Sequence, residues 1–250
     1  MVVRIQQWLA PPNPFMNLHK SLDLRSGNTG QWFLQEAKYD AWKAGTTPFM
    51  WRYGSVGCGK TILSSGIIQD MQNHCVQIED RSLAFYFFDF NDDAKQNSIN
   101  MLKSILSRLL YACTGIPSIL QSLCNHGRQA SEQELLAAFK ETFELLPAPF
   151  IIIDALDECV TRDSLSKVLE EVHGWGHDSL RMMVTSRMEV DIEDALQELI
   201  PPESRVCLQS HMVDIDIRTY VKERLSSEPA FRRRHMVPVI LEEIQETLGR

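Results

Sequence analysis

The chain reads Gly54-Ser55-Val56-Gly57-Cys58-Gly59-Lys60-Thr61 at residues 54–61, which fits the pattern G-x-x-x-x-G-K-S/T of a phosphate-binding loop. The apolar run at 49–53 predicts a strand before this loop, and the helical spacing of apolar residues at 62–68 predicts a helix after it. Such a loop requires this order of strand, glycine-rich turn and helix. The alternative is a glycine-rich turn followed by an ordinary surface lysine. The motif and its context together favour a nucleoside triphosphate site.

Each fixed position of the loop has a chemical reason. Gly54, Gly57 and Gly59 let the backbone turn so that successive N–H groups converge on phosphate oxygens at a helix N-terminus. Lys60 supplies a point charge for the β- and γ-phosphates, and the Thr61 hydroxyl is placed to ligate the accompanying Mg²⁺. We therefore expect residues 54–61 to form the nucleotide-binding loop.

A second motif is the apolar run Phe150-Ile151-Ile152-Ile153, which ends in Asp154. Its length and composition predict a strand that is buried on both faces of a parallel sheet. Ligands of open α/β sheets bind outside the carboxyl ends of the strands, so Asp154 can meet the Mg²⁺ held by Thr61. We expect this strand to neighbour the one that precedes the loop.

Two acidic residues, Asp157 and Glu158, follow Asp154 in the sequence Asp-Ala-Leu-Asp-Glu. Either of them could orient or deprotonate the water that attacks the γ-phosphate. The sequence does not choose between them. The alternative is that both are solvated loop residues, or that they favour the start of the next helix through its dipole.

A third predicted strand, residues 180–184, is followed by Thr185-Ser186-Arg187. A cation at a strand's carboxyl end would interact differently with a triphosphate and a diphosphate, as a conformational switch requires. Arg187 is therefore a candidate γ-phosphate sensor. The alternative is an exposed arginine in a loop.

The motifs GSVGCGKT, FIIIDALDE and VTSR, in this order, resemble the NACHT class of signal-transduction ATPases. Upstream, residues 27–34 (GNTGQWFL) with Trp42 resemble fungal nephrocystin-3-like N-terminal domains, which occur in NACHT proteins with ankyrin or WD40 repeats. Downstream, residues 214–221 (DIDIRTYV) resemble the first helix of the family's small helical domain. The resemblance spans nearly the whole chain.

This resemblance implies a P-loop NTPase fold of the AAA+/STAND-like kind, a three-layer α/β/α parallel sheet with a short all-helical C-terminal segment. It implies ATP or ADP with Mg²⁺ as ligands, slow hydrolysis and a nucleotide-dependent switch. At matching positions it implies phosphate and Mg²⁺ contacts for Lys60 and Thr61, Mg²⁺ for Asp154, hydrolysis for Asp157 and Glu158, and sensing for Arg187. One departure is Val56, where the family usually has proline.

The pattern predicts three regions. Residues 1–28 form a helical lead-in, 29–209 the NTPase domain, and 210–250 the start of an incomplete helical domain, because only helical spacing follows a last predicted strand at 205–208. The family's winged helix and repeats would follow Arg250. A fragment, a truncated chain and a naturally short relative all fit. Self-association or protein partners would act through those further regions.

Composition narrows the possible functions. The chain has 250 residues, 44% of them hydrophobic, and a net charge of −8, which argues against a sequence-independent nucleic-acid binder. Six cysteines without a C-x-x-C pair indicate neither a zinc site nor a disulfide framework. No apolar run has the length of a signal peptide core or a membrane span. These features predict a cytoplasmic protein that binds neither nucleic acid nor membrane.

Three functions compete at this stage. The favoured one is a switch whose ADP form is closed and whose ATP form exposes an oligomerisation surface. A small-molecule kinase would need a basic lid, and no arginine-rich insertion lies between the predicted strands. A scaffold that holds nucleotide without hydrolysing it is the third. ATP is favoured over GTP by elimination, because the chain has no N-K-x-D motif.

Overall fold

The structure is a computed structural model and describes residues 1–27, 29–78, 81–176, 179–208 and residue 216. Five parallel strands form its sheet: β1 (Phe49–Tyr53), β2 (Arg81–Phe87), β3 (Ala148–Asp154), β4 (Arg181–Ser186) and β5 (Arg205–Cys207). Their order across the sheet is β2-β3-β4-β1-β5. The predicted parallel α/β fold is confirmed, and β1 has the predicted bounds.

The strands alternate with helices. The described helices are α1 (Val2–Leu9), α2 (Phe15–Leu24), α3 (Gln31–Leu34), α4 (Ala37–Ala44), α5 (Lys60–Gln77), α6 (Ser98–Leu109), α7 (Ser118–Asn125), α8 (Glu132–Glu144), α9 (Arg162–Gly174) and α10 (Val190–Gln197). Helix α8 begins with a capping box, in which Ser131 and Glu134 each bond the other's backbone N–H. The helical spacing of α5, α6 and α8 therefore predicted real elements.

Helices cover both faces of the sheet, which gives the predicted three layers. Helices α2 to α5 pack on one face, here called the α5 face, through side chains such as Phe33, Trp42 and Ile67. Helix α1 and helices α6 to α10 pack on the far face, through side chains such as Leu102 and Phe139. Because successive strand residues point to opposite faces, each central strand contributes to both cores.

The order of the strands corrects one expectation. The strand of Asp154 does not neighbour β1, because β4 lies between β3 and β1. In the register, Ile153 lies opposite Val184 and Arg52 lies opposite Thr185. Asp154, Thr185 and Arg52 therefore form a polar row across three adjacent strands, on the α5 face and at its carboxyl end.

The predicted domain boundaries at residues 28 and 209 stay predictions. The segment 210–250, predicted to be helical, lies outside the described residues, apart from Asp216. Within the described ranges, none of the helices combines the length and the apolar character that a passage through a membrane needs.

Candidate functional site

The glycine-rich loop joins β1 to α5. Gly57 and Gly59 have φ angles of 78° and 83°, in the left-handed region that favours glycine. A Cβ atom at either position would meet no described atom within 4 Å, so the space beside the loop is open. Helix α5 begins at Lys60 with no side-chain cap from the described residues. An open backbone cradle at an uncapped helix N-terminus is suited to an anion.

Lys60 is held against the loop itself. Its Nζ donates to the carbonyl oxygens of Gly54 and Ser55, both at 2.9 Å. These carbonyls are neutral acceptors, and a phosphate oxygen would give the ammonium a stronger, charge-assisted partner. Val56 is exposed at the outer side of the loop and Cys58 is partly buried.

Asp154 is buried at the carboxyl end of β3 and accepts three hydroxyl hydrogen bonds. Thr61 Oγ1 donates to Oδ2 at 2.7 Å, while Ser64 Oγ and Thr185 Oγ1 donate to Oδ1 at 2.5 and 2.6 Å. The structure therefore brings together Thr61 and Asp154, the two predicted Mg²⁺ ligands. Ser64 was not predicted from the sequence, and Thr185 was predicted only as part of a polar cluster.

The oxygen atoms of Thr61 and Asp154 fit Mg²⁺ if phosphate oxygens complete its coordination. Hydroxyl and carboxylate oxygens are the ligands that this hard cation takes, and it is usually bound by one or two carboxylates together with phosphates and water. Among the described residues, no group of three or more His, Cys, Asp or Glu side chains could hold a metal alone. Thr61 and Asp154 thus supply part of a coordination shell that a bound polyphosphate would extend.

Asp157 and Arg187, both predicted to act in catalysis, are paired with each other. The Asp157 carboxylate is 3% exposed and accepts from the backbone N–H and from Nε of Arg187, both at 2.9 Å. The chain reaches this position through Ala155, which has a φ of 59° and starts a tight turn after β3. Asp157 is therefore already engaged, while the Arg187 side chain remains 42% exposed.

Glu158 lies in a different environment from Asp157. It is partly buried and accepts a hydrogen bond from the Phe90 backbone N–H at 2.9 Å. Burial raises the pKa of Glu158, the hydrogen bond from Phe90 N–H opposes that rise, and the negative charges of Asp157, Asp154 and Asp89 add to it. A raised pKa makes the carboxylate a better proton acceptor than an ordinary glutamate. Of the two acidic residues, Glu158 has the environment of a general base.

A cavity of about 280 Å³ lies beside residues 57–59 of the loop. Its walls include Leu24, Thr29, Trp32 and Leu63, and they are mainly apolar. One wall is closed by Asp216, whose Oδ2 accepts from the Gly30 backbone N–H at 2.8 Å and from Trp32 Nε1 at 2.9 Å. Asp216, from the downstream segment that carried the resemblance, thus contacts Gly30 and Trp32 of the upstream one.

A family model described as "Nephrocystin 3, N-terminal" matches residues 28–187. The chain belongs to this family. The match includes the phosphate-binding loop and Asp154, and it ends at Arg187. The nephrocystin-3-like resemblance is thereby confirmed.

Comparisons with individual proteins are more distant. The vegetative incompatibility protein HET-E-1 of Podospora anserina is 27% identical over 207 residues, which cover 78% of this chain and 15% of that protein. The chain thus spans about a seventh of that relative's length.

Two solved structures also align with this chain. The Drosophila ORC complex with AT-rich DNA and Cdc6 aligns with a TM-score of 0.40 and 13% identity, over 77% of this chain and 54% of that chain. The cytoplasmic domain of the Thermomonospora curvata type VII secretion ATPase EccC aligns with a TM-score of 0.32 and 17% identity, over 62% and 18%.

Proposed function

We propose that this chain is a nucleotide-binding NTPase module that binds ATP or ADP with Mg²⁺, hydrolyses ATP slowly and acts as a conformational switch. The observation that carries the proposal is the hydrogen bond of 2.7 Å between Thr61 and Asp154 beneath an open glycine loop. This hydrogen bond joins the phosphate-binding loop to a buried carboxylate that lies 93 residues further along the chain. Family membership is consistent with this arrangement.

The loop and its lysine would hold the phosphates. Backbone N–H groups of the loop, such as those of Gly57, Gly59 and Lys60, would face the phosphate oxygens. Lys60 would leave its two carbonyl acceptors for them. Thr61 and Asp154 would hold Mg²⁺, which neutralises charge on the phosphates when it is bound. The exposed Ser55 and Val56 would contribute backbone rather than side chains.

Glu158 is the proposed general base for hydrolysis. Its raised pKa suits a group that accepts a proton from water. The hydrogen bond from Phe90 N–H fixes its position. Asp157 would instead hold Arg187 beside the site through their ion pair. Arg187, half-exposed at the end of β4, would then sense the γ-phosphate.

The cavity beside the loop is the proposed site of the base and sugar. Trp32 offers an aromatic wall, and the cavity adjoins Gly57 and Gly59, where the phosphates would lie. Adenine is proposed over guanine on the absence of an N-K-x-D motif in the sequence.

The switch would use the link between this cavity and the segment beyond the sheet. Asp216 lies after β5 in sequence, yet it bonds Gly30 and Trp32 in the cavity wall. A change in the bound nucleotide would therefore alter the contacts of Asp216, and through them the position of the chain that follows it. The resemblance to NACHT proteins supports self-association or protein partners as the output.

Mass analysis of the nucleotide released on denaturing the purified protein tests the proposal. We expect ADP or ATP from the wild type, none from Lys60→Ala, and the wild-type amount from Lys167→Ala, which removes an exposed lysine on α9. A wild-type protein that releases no purine nucleotide and does not bind Mg²⁺-ADP on titration would contradict the proposal. Binding without any turnover of ATP would instead favour the non-hydrolysing scaffold.

A further inference from the structure

Arg52 is a fully buried arginine on β1, which lies between β4 and β5 in the sheet. Its Nη2 donates to Ser64 Oγ at 2.8 Å, and its Cζ lies 5.3 Å from the centre of the Phe33 ring. Among the described residues, neither Nε nor Nη1 has a hydrogen-bond partner, and no carboxylate pairs with it directly. Burial of such a cation is costly unless an opposite charge compensates it.

The compensating charge is Asp154, reached through one serine. Ser64 Oγ accepts from Arg52 Nη2 and donates to Asp154 Oδ1 at 2.5 Å, so two consecutive hydrogen bonds connect the charges. Both residues belong to the polar row on the α5 face, with Thr185 between them. Asp154 itself receives hydroxyl donors from three described residues and no direct cation.

Arg52 remains a cation despite its surroundings. Burial lowers the pKa of its guanidinium to about 10, while the negative charge of Asp154 opposes that shift. At neutral pH the strand therefore carries a buried positive charge next to the proposed metal carboxylate.

We propose that Arg52 is the internal counter-ion of Asp154 and a positioning residue for the Mg²⁺ site. Through Ser64 it holds the carboxylate in place and balances its charge before the metal binds. The inference rests on the proposed function in one respect, namely that Asp154 is the metal carboxylate. Two opposite effects follow, because Arg52 stabilises the metal-free protein and repels Mg²⁺.

A double-mutant cycle on the metal-free, nucleotide-free protein tests the pairing. Arg52→Met should lower Tm by roughly 6 °C or more in the wild-type background, but by less than about 2 °C when Asp154→Asn has already removed the negative charge. The matched control is Arg108→Met. Arg108 is also largely buried, over the rings of Phe15 and Phe85, and no carboxylate pairs with it among the described residues. Its replacement should cost the same in both backgrounds.

Equal losses of Tm for Arg52→Met in the two backgrounds would overturn the pairing. If either single variant fails to fold, the double variant decides the question. A folded double variant supports the proposal, because removing both charges leaves neither uncompensated. A double variant that stays unfolded when one single variant folds would show that Arg52 acts independently of Asp154.

The Mg²⁺ dependence of ADP binding provides the second readout. Arg52→Met should reach its half-maximal gain in ADP affinity at a Mg²⁺ concentration about threefold or more below that of the wild type, because the repelling charge is gone. If Arg52 were purely structural, its replacement would leave this Mg²⁺ concentration unchanged. That result would overturn the claim that Arg52 influences the Mg²⁺ site. If neither protein binds ADP, the proposed function fails, while the Tm cycle still tests the charge pair.

Discussion

Trp51 and Arg52 are neighbours on β1 but point to opposite faces of the sheet. Trp51 joins the apolar core of the far face and donates from Nε1 to Ser186 Oγ at 2.8 Å. Arg52 enters the α5 face, where it meets Ser64 and the polar row. The far face is built mainly from aliphatic and aromatic side chains, whereas the carboxyl end of the α5 face contains buried charge.

The far face contributes mainly to stability, whereas the α5 face also contains the candidate site. Apolar side chains such as Phe139 and Ile151, both 0–1% exposed, contribute stability through burial alone. The buried polar groups of the α5 face are arranged around Asp154, and their hydrogen bonds replace those lost to water. Substitutions on the far face should therefore change stability alone, whereas substitutions in the polar row should also change ligand binding.

The largest expected effect lies at the polar end of the site. Glu158→Gln should lower ATP hydrolysis by about 10²–10⁴-fold, because the amide can still accept the Phe90 N–H but cannot take a proton from water. Affinity for Mg²⁺-ADP should stay within about twofold of wild type. Steady-state phosphate release and ADP titration measure the two quantities.

Asp157→Asn is the matched comparison, since it removes a neighbouring charge and disturbs the pair with Arg187. We expect a smaller loss of hydrolysis than for Glu158→Gln. If Asp157→Asn stops hydrolysis while Glu158→Gln does not, the two roles are reversed.

The pH profile of hydrolysis sharpens this assignment. Because burial and nearby carboxylates raise the pKa of Glu158, its basic form is lost on acidification at a higher pH than for an ordinary glutamate. We expect the acid limb of the rate to lie correspondingly higher in the wild type, and the residual rate of Glu158→Gln to lack it. If both proteins show the same fall in rate on acidification, a group other than Glu158 causes it.

The next effect belongs to the far face. Phe139→Ala should lower the free energy of unfolding by about 3–5 kcal/mol, because it removes a buried ring that packs on Phe143 and Trp175. Nucleotide affinity per folded molecule should not change. Urea unfolding followed by ADP titration below the transition measures both.

Thr185→Val is the counterpart on the α5 face. It keeps the side-chain shape but removes one hydroxyl donor to Asp154 and the acceptor for Ala155 N–H, at a cost of about 1–3 kcal/mol in stability. It should also weaken Mg²⁺-dependent ADP binding. If Phe139→Ala impairs ADP affinity as much as Thr185→Val does, the separation between the two faces is wrong.

The sequence predicted the local parts of this picture. The loop 54–61, the strand that ends in Asp154 and the capping box at Ser131 each follow from short-range patterns. The order of the strands does not, because β4 inserts between β1 and β3 only through long-range pairing. An apolar run identifies a buried strand but not its neighbours.

The arrangement of charges was also harder to predict from the sequence, because it too depends on long-range contacts. The pairing of Asp157 with Arg187 joins residues 30 positions apart, and the link from Asp216 to Trp32 joins residues 184 apart. One signal was available, since Arg52 interrupts a strand that is otherwise apolar and therefore buried. A charged residue in such a strand indicates a compensating partner, although the sequence does not say which.

The smallest expected effect concerns Asp216. Asp216→Ala should release Trp32 Nε1 and the Gly30 N–H, and it should weaken ADP binding by about 3–10-fold through faster release. Stopped-flow displacement of a fluorescent ADP analogue measures the rate. Asp23→Ala, at an exposed position of α2, serves as the control and should leave the rate unchanged. An unchanged release rate in Asp216→Ala would show that this part of the cavity wall does not affect the bound nucleotide.

The measurement that bears most directly on the site is the affinity for ADP with and without Mg²⁺, compared between the wild type and Asp154→Asn. Thr61 Oγ1 and Asp154 Oδ2 lie 2.7 Å apart beneath the loop. We therefore predict that Mg²⁺ strengthens ADP binding to the wild type by about tenfold or more, and ADP binding to the variant by little. Equal strengthening in both proteins would show that Asp154 is not the metal carboxylate and would contradict the proposed site.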